Sequence, residues 1–425
     1  MADAGAPVSG PVSRPVSRPV STDTLRRLNT ARVLRSLRDE GPASRALVAQ
    51  RTGLAKATVG TIVADLQRLR AVDESAARPV GRTSGRPAAA GRPGRPVTLD
   101  GAGIVGLGVE VNVGYLVATA LDLAGRTVLS RRVPTEPGRE LESLRELTSQ
   151  SCTQLVGQGA HVVGLDVAVP GLVARDRGVV VDAPNLRWAD LDLVHEIEQA
   201  LPRSGAGRCR VRVRVDNDAN CSATAEVTHG AARGVDHVLF LTGTVGLGAG
   251  FVVQGRVQRG STGFAGEVGH LPVGGGDRRC ACGRRGCWET TVGLPAMLRA
   301  TGVRLPDADH HLMADPMAAA TEVARRARTD ATVRAAVREV GASLGTGVVT
   351  IAGLLDPAMV VLGGYFVPLG PLIVPVVERA LRHGLLGAGA RRCEVALSTL
   401  GLGAASTGAA SEVLTDVFDG VVGLR

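Results

Sequence analysis

Two stretches of the chain repeat one design, and that repetition limits the folds open to it. Residues 104–133, IVGLGVEVNVGYLVATALDLAGRTVLSRRV, read as three strands joined by tight turns at Asn112–Gly114 and Ala124–Gly125. A helix over about Arg139–Val156 follows, and then the apolar strand HVVGLDVAVPG. The design returns from residue 211: VRVRVDNDAN reads as a strand running into a helix, and HVLFLTGTVGLGAGFVVQG as a glycine-punctuated strand pair. VREVGASLGTGVVTIAGLLDP with AMVVLGG is then a helix followed by a strand. Two halves, each with a strand hairpin around a Gly-rich turn, predict an internal duplication facing a central cleft.

What precedes the duplication differs in charge. Residues 1–99 carry 17 Lys+Arg against 7 Asp+Glu, and the remainder 32 against 33, so the positive excess sits at one end. Residues 1–21 repeat PVS four times and read as a disordered Pro/Ser/Val tail. From Thr22 to Arg38, Leu25, Leu28, Val33, Leu34 and Leu37 share one side of a helix that ends at Gly41-Pro42. Ser44 is placed to cap a short helix that stops at Thr52-Gly53, and a second helix follows from Ala55 with Val59, Ile62, Val63, Leu66 and Leu69 at helical spacing. Two short helices joined by a tight Gly turn are the pattern of a helix-turn-helix, whose second helix enters the major groove. GRPGRP before a short strand at Val97–Leu99 suits a wing whose arginines reach a narrow minor groove. The candidate DNA contacts are Ser44, Arg45, Lys56 (the chain's one lysine), Thr58, Thr61, Arg92 and Arg95.

No run of about eighteen apolar residues appears, and the N-terminal segment lacks the charge-then-apolar pattern of a signal peptide, so a cytoplasmic protein with no membrane partner is expected. In that compartment a cysteine cluster points to metal or redox chemistry. His270-x9-Cys280-x-Cys282-x4-Cys287 offers one imidazole and three thiolates, a closed tetrahedral set for structural Zn2+ with no open position for catalysis. Cys152, Cys209, Cys221 and Cys393 are expected to be ordinary buried thiols.

VDNDANCSATAE, FAGEVGH and CACGRRGCWE occur in that order behind TGLAKATVGTIVADL. Together they resemble the ROK family, which groups sugar-responsive repressors with sugar kinases, and the N-terminal segment places this chain with the repressors. The resemblance spans roughly residues 22–418. It implies an α/β protein in which a winged helix-turn-helix (residues 22–99) precedes a two-lobed, actin-like ATPase/sugar-kinase-like domain (residues 100–425) with a zinc loop at 270–287. By motif it gives a sugar site of Asn217, Asp218, Glu267, His270 and Glu289, where Asp218 matches the kinases' general base. An alternative role for Asp218 is the cap of the helix it opens.

The kinases of the family carry Asp-x-Gly-Gly-Thr and Gly-Thr-Gly-x-Gly-Gly-Gly phosphate loops. Here the first is Glu110-Val111-Asn112-Val113-Gly114, with Val113 expected to crowd a phosphate, and the second is Thr244-Val245-Gly246-Leu247-Gly248-Ala249-Gly250. A non-enzymatic homodimeric or homotetrameric regulator is therefore expected, with an inverted-repeat double-stranded DNA operator and a sugar or sugar phosphate as partners. The alternatives are an active ATP-dependent sugar kinase with an appended DNA-binding domain, and a sensor of a protein partner.

Overall fold

The structure, a computed structural model, describes residues 21–74, 95–101, 103–204, 207–208, 211–243, 246–273, 276–304, 315–387, 389 and 392–424. Residues 1–20 of the PVS tail, Arg92, Cys209, Thr244 and Val245 lie outside these residues.

The chain begins with α1 (Thr22–Asp39), capped by the Ser21 hydroxyl. The two-residue strand β1 (Ala43–Ser44) leads into α2 (Arg45–Thr52), where Ser44 Oγ accepts from the Leu47 amide. Gly53 ends α2 at φ 70°, a left-handed conformation that glycine adopts without strain, and α3 (Lys56–Arg68) starts three residues later. Strand β3 (Pro96–Leu99) pairs antiparallel with β1 on one side and with β2 (Val72–Asp73) on the other.

The first lobe is a five-stranded sheet in the order β13-β7-β4-β5-β6. Its meander is β4 (Ile104–Val111), β5 (Tyr115–Asp122) and β6 (Thr127–Pro134); α4 (Glu140–Gly157) then crosses over to β7 (His161–Val169), parallel to β4. Both faces of β4 and β5 are covered, which is why their sequences are nearly continuous apolar runs. The outer strand β6 carries Arg131 and Arg132 on an exposed edge, where charge discourages further pairing. A smaller meander, β8 (Leu172–Ala174), β9 (Val179–Ala183) and β10 (Trp188–Asp192), precedes α5 (Leu193–Ala200). The short hairpin β11 (Arg203–Ser204) and β12 (Gly207–Arg208) leads to β13 (Arg212–Asn217).

The second lobe repeats the first. Strands β14 (Val238–Gly243), β15 (Leu247–Val253) and β16 (Arg256–Val257) form the meander. After the helices α7 (Glu289–Val292), α8 (Leu294–Thr301), α9 (Pro316–Thr329) and α10 (Ala331–Leu355) come β17 (Met359–Gly364), α11 (Phe366–Gly384) and β18 (Glu394–Leu397). The order β16-β15-β14-β17-β18 matches the first sheet strand for strand, with the same parallel and antiparallel pairings. The duplication is therefore real, but VRVRV belongs to its first half: it is β13, which closes the first sheet parallel to β7.

In each half the fifth strand feeds a helix, α6 (Asp218–Thr228) after β13 and α12 (Ala404–Phe418) after β18, and these two helices pack on each other between the lobes. Helix α12 also crosses β4, β5 and β7. The approach to β4 is so close that a Cβ at Gly108 would run into the Ser406 carbonyl, and the approach to α6 so close that one at Gly408 would run into the Cys221 carbonyl. The far end of α12 lies where the first lobe meets the N-terminal module, beside Ile104, Leu121, Leu123 and Val163. Val413, Leu414, Val417 and Phe418 are buried with Val33, Leu34, Val63 and Val97 of the N-terminal module, and the Arg38 guanidinium lies 4.4 Å above the Phe418 ring. No helix among the described residues is long and apolar enough to cross a membrane.

Candidate ligand cleft, metal centre and nucleic-acid interface

The cysteine loop folds back on itself at Gly283 and Gly286, both at positive φ, through an isolated bridge between Arg279 and Arg285. That turn brings together residues up to seventeen positions apart. One donor atom each from His270, Cys280, Cys282 and Cys287 lies within 4.8 Å of the others. The Cys282 and Cys287 sulfurs are 3.6 Å apart, as are the Cys280 sulfur and His270 Nδ1. Two sulfurs on one tetrahedral zinc stand about 3.8 Å apart, given Zn–S bonds of about 2.3 Å, so the donor set fits a single metal ion.

The His270 ring works in two directions. Nδ1 faces the sulfurs, and Nε2 lies 3.9 Å from Glu267 Oε2. Glu289, the first residue of α7, is folded against this centre rather than standing apart from it. Its Oε1 accepts from the Cys280 thiol at 2.8 Å and lies 3.7 Å from His270 Nδ1, while a Cβ at Gly246 would stand 2.8 Å from its other oxygen.

Asn217 and Asp218 enter from the other lobe, at the junction of β13 and α6. The cap of α6 is Asn217, not Asp218: Asn217 Oδ1 accepts from the Ala219 and Asn220 amides, and its Nδ2 donates to the Gly171 carbonyl at 3.0 Å. Asp218 is thereby released to face the cleft, where it lines a cavity with Glu110, Tyr115, Thr242, Ser398 and Ala404. Burial raises the Asp218 carboxyl to about 6, with the Glu267 charge adding to the rise and the Ala219 amide opposing it. Glu267 and Asp218 are thus close enough for their charges to interact across the cleft.

The turn at residues 112–114 is closed by its own hydrogen bonds. The Asn112 amide donates to the Tyr115 carbonyl, Asn112 Oδ1 accepts from the Val113 amide, and Asn112 Nδ2 donates to Tyr115 Oη. Val113 does not crowd the cleft as its sequence position suggests, because its side chain is buried in the first-lobe core. The Asn112 and Val113 amides are engaged within the turn.

A buried ion cluster, which no sequence motif announces, lies beneath the cleft. Arg259, just before the loop that carries Glu267, bridges Asp216 on β13 at 2.8 Å and Glu412 on α12 at 3.3 Å. Arg175 also pairs with Asp216 and with Glu412, and Arg214 reaches Asp166 on β7 and Asp416 on α12. Buried charges of this kind add little net stability, but removing one leaves its partner uncompensated, so the set favours one arrangement of the two lobes and α12.

At the N-terminal module, Lys56, Thr61, Ala64 and Arg68 are exposed on one side of α3, with Thr58 half-buried. Gly60 sits on this helix although a Cβ there would meet nothing within 4 Å. Mid-helix glycine costs about 0.5–1 kcal/mol relative to alanine, and packing offers no compensation here, which fits a surface kept bare for close approach from outside. Ala55 supplies no side-chain cap, so the first amides of α3 stay open to an external anion. Arg95 is exposed at the start of β3, whereas the Arg45 guanidinium is held by Glu74 at 2.6 and 2.8 Å and the Ser44 hydroxyl caps α2.

The ROK family profile matches residues 106–415. The xylose repressor of Bacillus subtilis (strain 168) is 27% identical over 401 residues, covering 93% of this chain and 97% of that one. A solved structure described as a ROK family transcriptional regulator, homolog of E. coli MLC protein, superposes with a TM-score of 0.74 at 23% identity, covering 94% of this chain and 98% of that one. The ROK family glucokinase from Streptomyces griseus, solved with glucose and AMPPNP, is 28% identical with a TM-score of 0.59, covering 72% of this chain and 98% of that one.

Proposed function

The chain belongs to the ROK family, and from that premise we propose that it is a sugar-responsive transcriptional repressor whose N-terminal winged helix-turn-helix binds operator DNA. The observation that carries this reading is helix α12, which begins at the cleft with Ala404 and ends, with Val417 and Phe418, where the first lobe meets the N-terminal module. A sugar held by Asp218 from one lobe and Glu267 and His270 from the other favours one lobe angle. The α3 helices of a symmetric dimer then change spacing relative to an inverted-repeat operator. The xylose repressor supports the reading because its similarity covers 93% of the chain, against 72% for the glucokinase.

His270, Cys280, Cys282 and Cys287 fit a structural zinc ion, which when bound supplies a crosslink that fixes the loop. Residues on that loop then do the recognition. Glu267 accepts from sugar hydroxyls, His270 presents Nε2 toward the cleft, and Asn217 holds the start of α6 so that Asp218 faces the ligand. Lys56, Thr58 and Thr61 face the major groove, and Arg95, with Arg92 beside it in sequence, serves the wing. Arg45 acts by fixing Glu74 at the base of the wing.

The test is Glu267→Gln in the full-length protein. It replaces an acceptor-only anion by a neutral amide of equal size, so sugar affinity should fall while sugar-free operator affinity stays near wild type. A coupling of about 1–3 kcal/mol changes operator binding some five- to 150-fold in wild type, and that response should vanish in the variant. Operator titrations with and without a panel of xylose, glucose and N-acetylglucosamine decide it: equal responses of the two proteins would overturn the assignment.

Phosphorylation is not expected. With the Asn112 and Val113 amides engaged within the turn, a nucleotide finds fewer preorganised donors there, and losing even one typically costs about 100-fold in rate. A coupled assay with ATP and the same sugars checks this, and turnover at about 1 per second or faster, an ordinary kinase rate, would restore the enzyme reading.

A further inference from the structure

Three pieces of the chain that must move together in a ligand response meet at one guanidinium. Arg259 follows β16, and its carbonyl accepts from the Ala265 amide at 3.1 Å, which ties it to the segment leading to Glu267. Its Nε donates to Asp216 Oδ2 at 2.8 Å, while Asp216 Oδ1 accepts from the amide of Asn217, the neighbour of Asp218. Both walls of the cleft are therefore fastened at Arg259. Its Nη2 also lies 3.3 Å from Glu412 Oε1, which accepts from Thr224 of α6 at 3.0 Å. Glu412 directly precedes Val413 and Leu414, the α12 residues buried with the N-terminal module. Arg175 and Arg214, which complete the cluster, come from the first lobe. The second lobe also reaches the end of α12 through Arg256, 3.7 Å from Asp419, but that arginine is 78% exposed and the pair is weakened by solvent.

We propose that Arg259, through Asp216 and Glu412, is the positioning residue that couples the cleft to the DNA-binding module, touching neither sugar nor DNA itself. This rests on the sugar-responsive reading given above and deepens it by naming where its signal passes. A sugar that changes the separation of Glu267 and Asp218 displaces Arg259 relative to Asp216, and Glu412 carries that displacement to the turn of α12 that packs on the N-terminal module. Asp216 is 2% exposed, so an arginine that left it would strand a desolvated carboxylate. The cluster therefore shifts as a unit, and the ligand biases which arrangement it holds.

Two full-length variants test the proposal: Arg259→Gln, and Arg259→Gln combined with Glu412→Gln, which removes one charge of each sign and leaves the cluster balanced as before. Operator affinity is measured with and without saturating xylose, glucose or N-acetylglucosamine, and sugar affinity with and without operator. The sugar that shifts wild-type operator binding about five- to 150-fold should shift it by less than about twofold in either variant, and the reciprocal effect of operator on sugar affinity should vanish by the same factor. Sugar affinity without DNA and operator affinity without sugar should each stay within about threefold of wild type. A merely structural role would instead lower both affinities and leave the coupling ratio intact, and that result overturns the proposal. So does a full wild-type response in either variant, which leaves the sugar reading standing, whereas a wild type that answers to no sugar overturns both. Hydrogen exchange on the wild-type protein supplies a readout independent of how the variants fold: the sugar should alter protection in residues 404–418 as well as in 258–267, and a change confined to the cleft loop counts against the proposal.

Discussion

Replacing Lys56 by glutamate should weaken operator binding by about a hundredfold or more, because it removes a cation at the start of the groove-facing helix and sets an anion against phosphates. Lys56 is the first residue of α3 and is exposed, while Val59, Ile62, Val63 and Leu66 supply the buried side of the helix. The folded state should therefore tolerate the change. Fluorescence anisotropy with a duplex selected from a random pool by the wild-type protein measures it. Lys56→Ala in the same assay should lower the slope of log K against log salt by about one if the contact is to a phosphate. Unchanged affinity of Lys56→Glu would refute the placement of α3 in the groove. A point substitution is preferable to deleting residues 1–99, because those residues share a core with Val413, Leu414, Val417 and Phe418. Deletion would strip that surface bare and confuse lost recognition with aggregation.

The second large effect concerns the metal. Protein purified without added zinc should carry about one zinc per chain, and Cys287→Ser should carry almost none, since serine leaves one of four ligands wanting. Cys287 is 1% exposed, and its neighbour Trp288 is fully buried, donating Nε1–H to the Ser343 carbonyl at 3.1 Å, so the loop is pinned at that end while its Cys280–Cys282 end relies on the metal. Losing the ion frees His270 and the nearby Glu267 together. Sugar affinity should drop by about a hundredfold or more, exceeding the 10- to 100-fold typical of an outer-shell change, because a ligand itself is lost. Sugar-free operator binding should stay within about threefold, as the metal centre and α3 belong to different cores. Elemental analysis combined with calorimetry reads both quantities, and a folded, metal-free wild type that binds sugar normally would refute the role of the ion.

The N-terminal module was legible in its sequence because its signals are local. Ser44 and Gly53 punctuate α2, and Val59, Ile62, Val63 and Leu66 keep helical spacing, so periodicity and caps suffice. The clustering of His270, Cys280, Cys282 and Cys287 was equally legible, since their spacing and donor types carry their own geometry. Assigning VRVRV to the second half failed because a strand's partner is a long-range property, and the apolar alternation of β13 is the same whichever sheet it joins. The capping role passed from Asp218 to Asn217 because both residue types cap well and only the backbone shows which stands first outside the helix. Strands β8–β10 carry LVARDRGVVVDAPNLRWADLD, short and irregular, with no period to read. The ion cluster was invisible for another reason: Asp166, Arg175, Asp216, Arg259 and Glu412 span most of the chain, and each alone resembles an ordinary surface charge.

Helix α12 also sets where such a regulator can be cut and rejoined. At fifteen residues it is about 22 Å long, with its first turn at the cleft and its last turns packed between the first lobe and the N-terminal module. Grafting residues 22–99 onto a different sensor would therefore mate Val33, Leu34 and Arg38 with a foreign helix end. That core is discontinuous: it is completed by Val413, Leu414, Val417 and Phe418 of α12 and by Ile104, Leu121, Leu123 and Val163 of the first lobe. A chimera joined at a single point would inherit a mismatched bearing between the two.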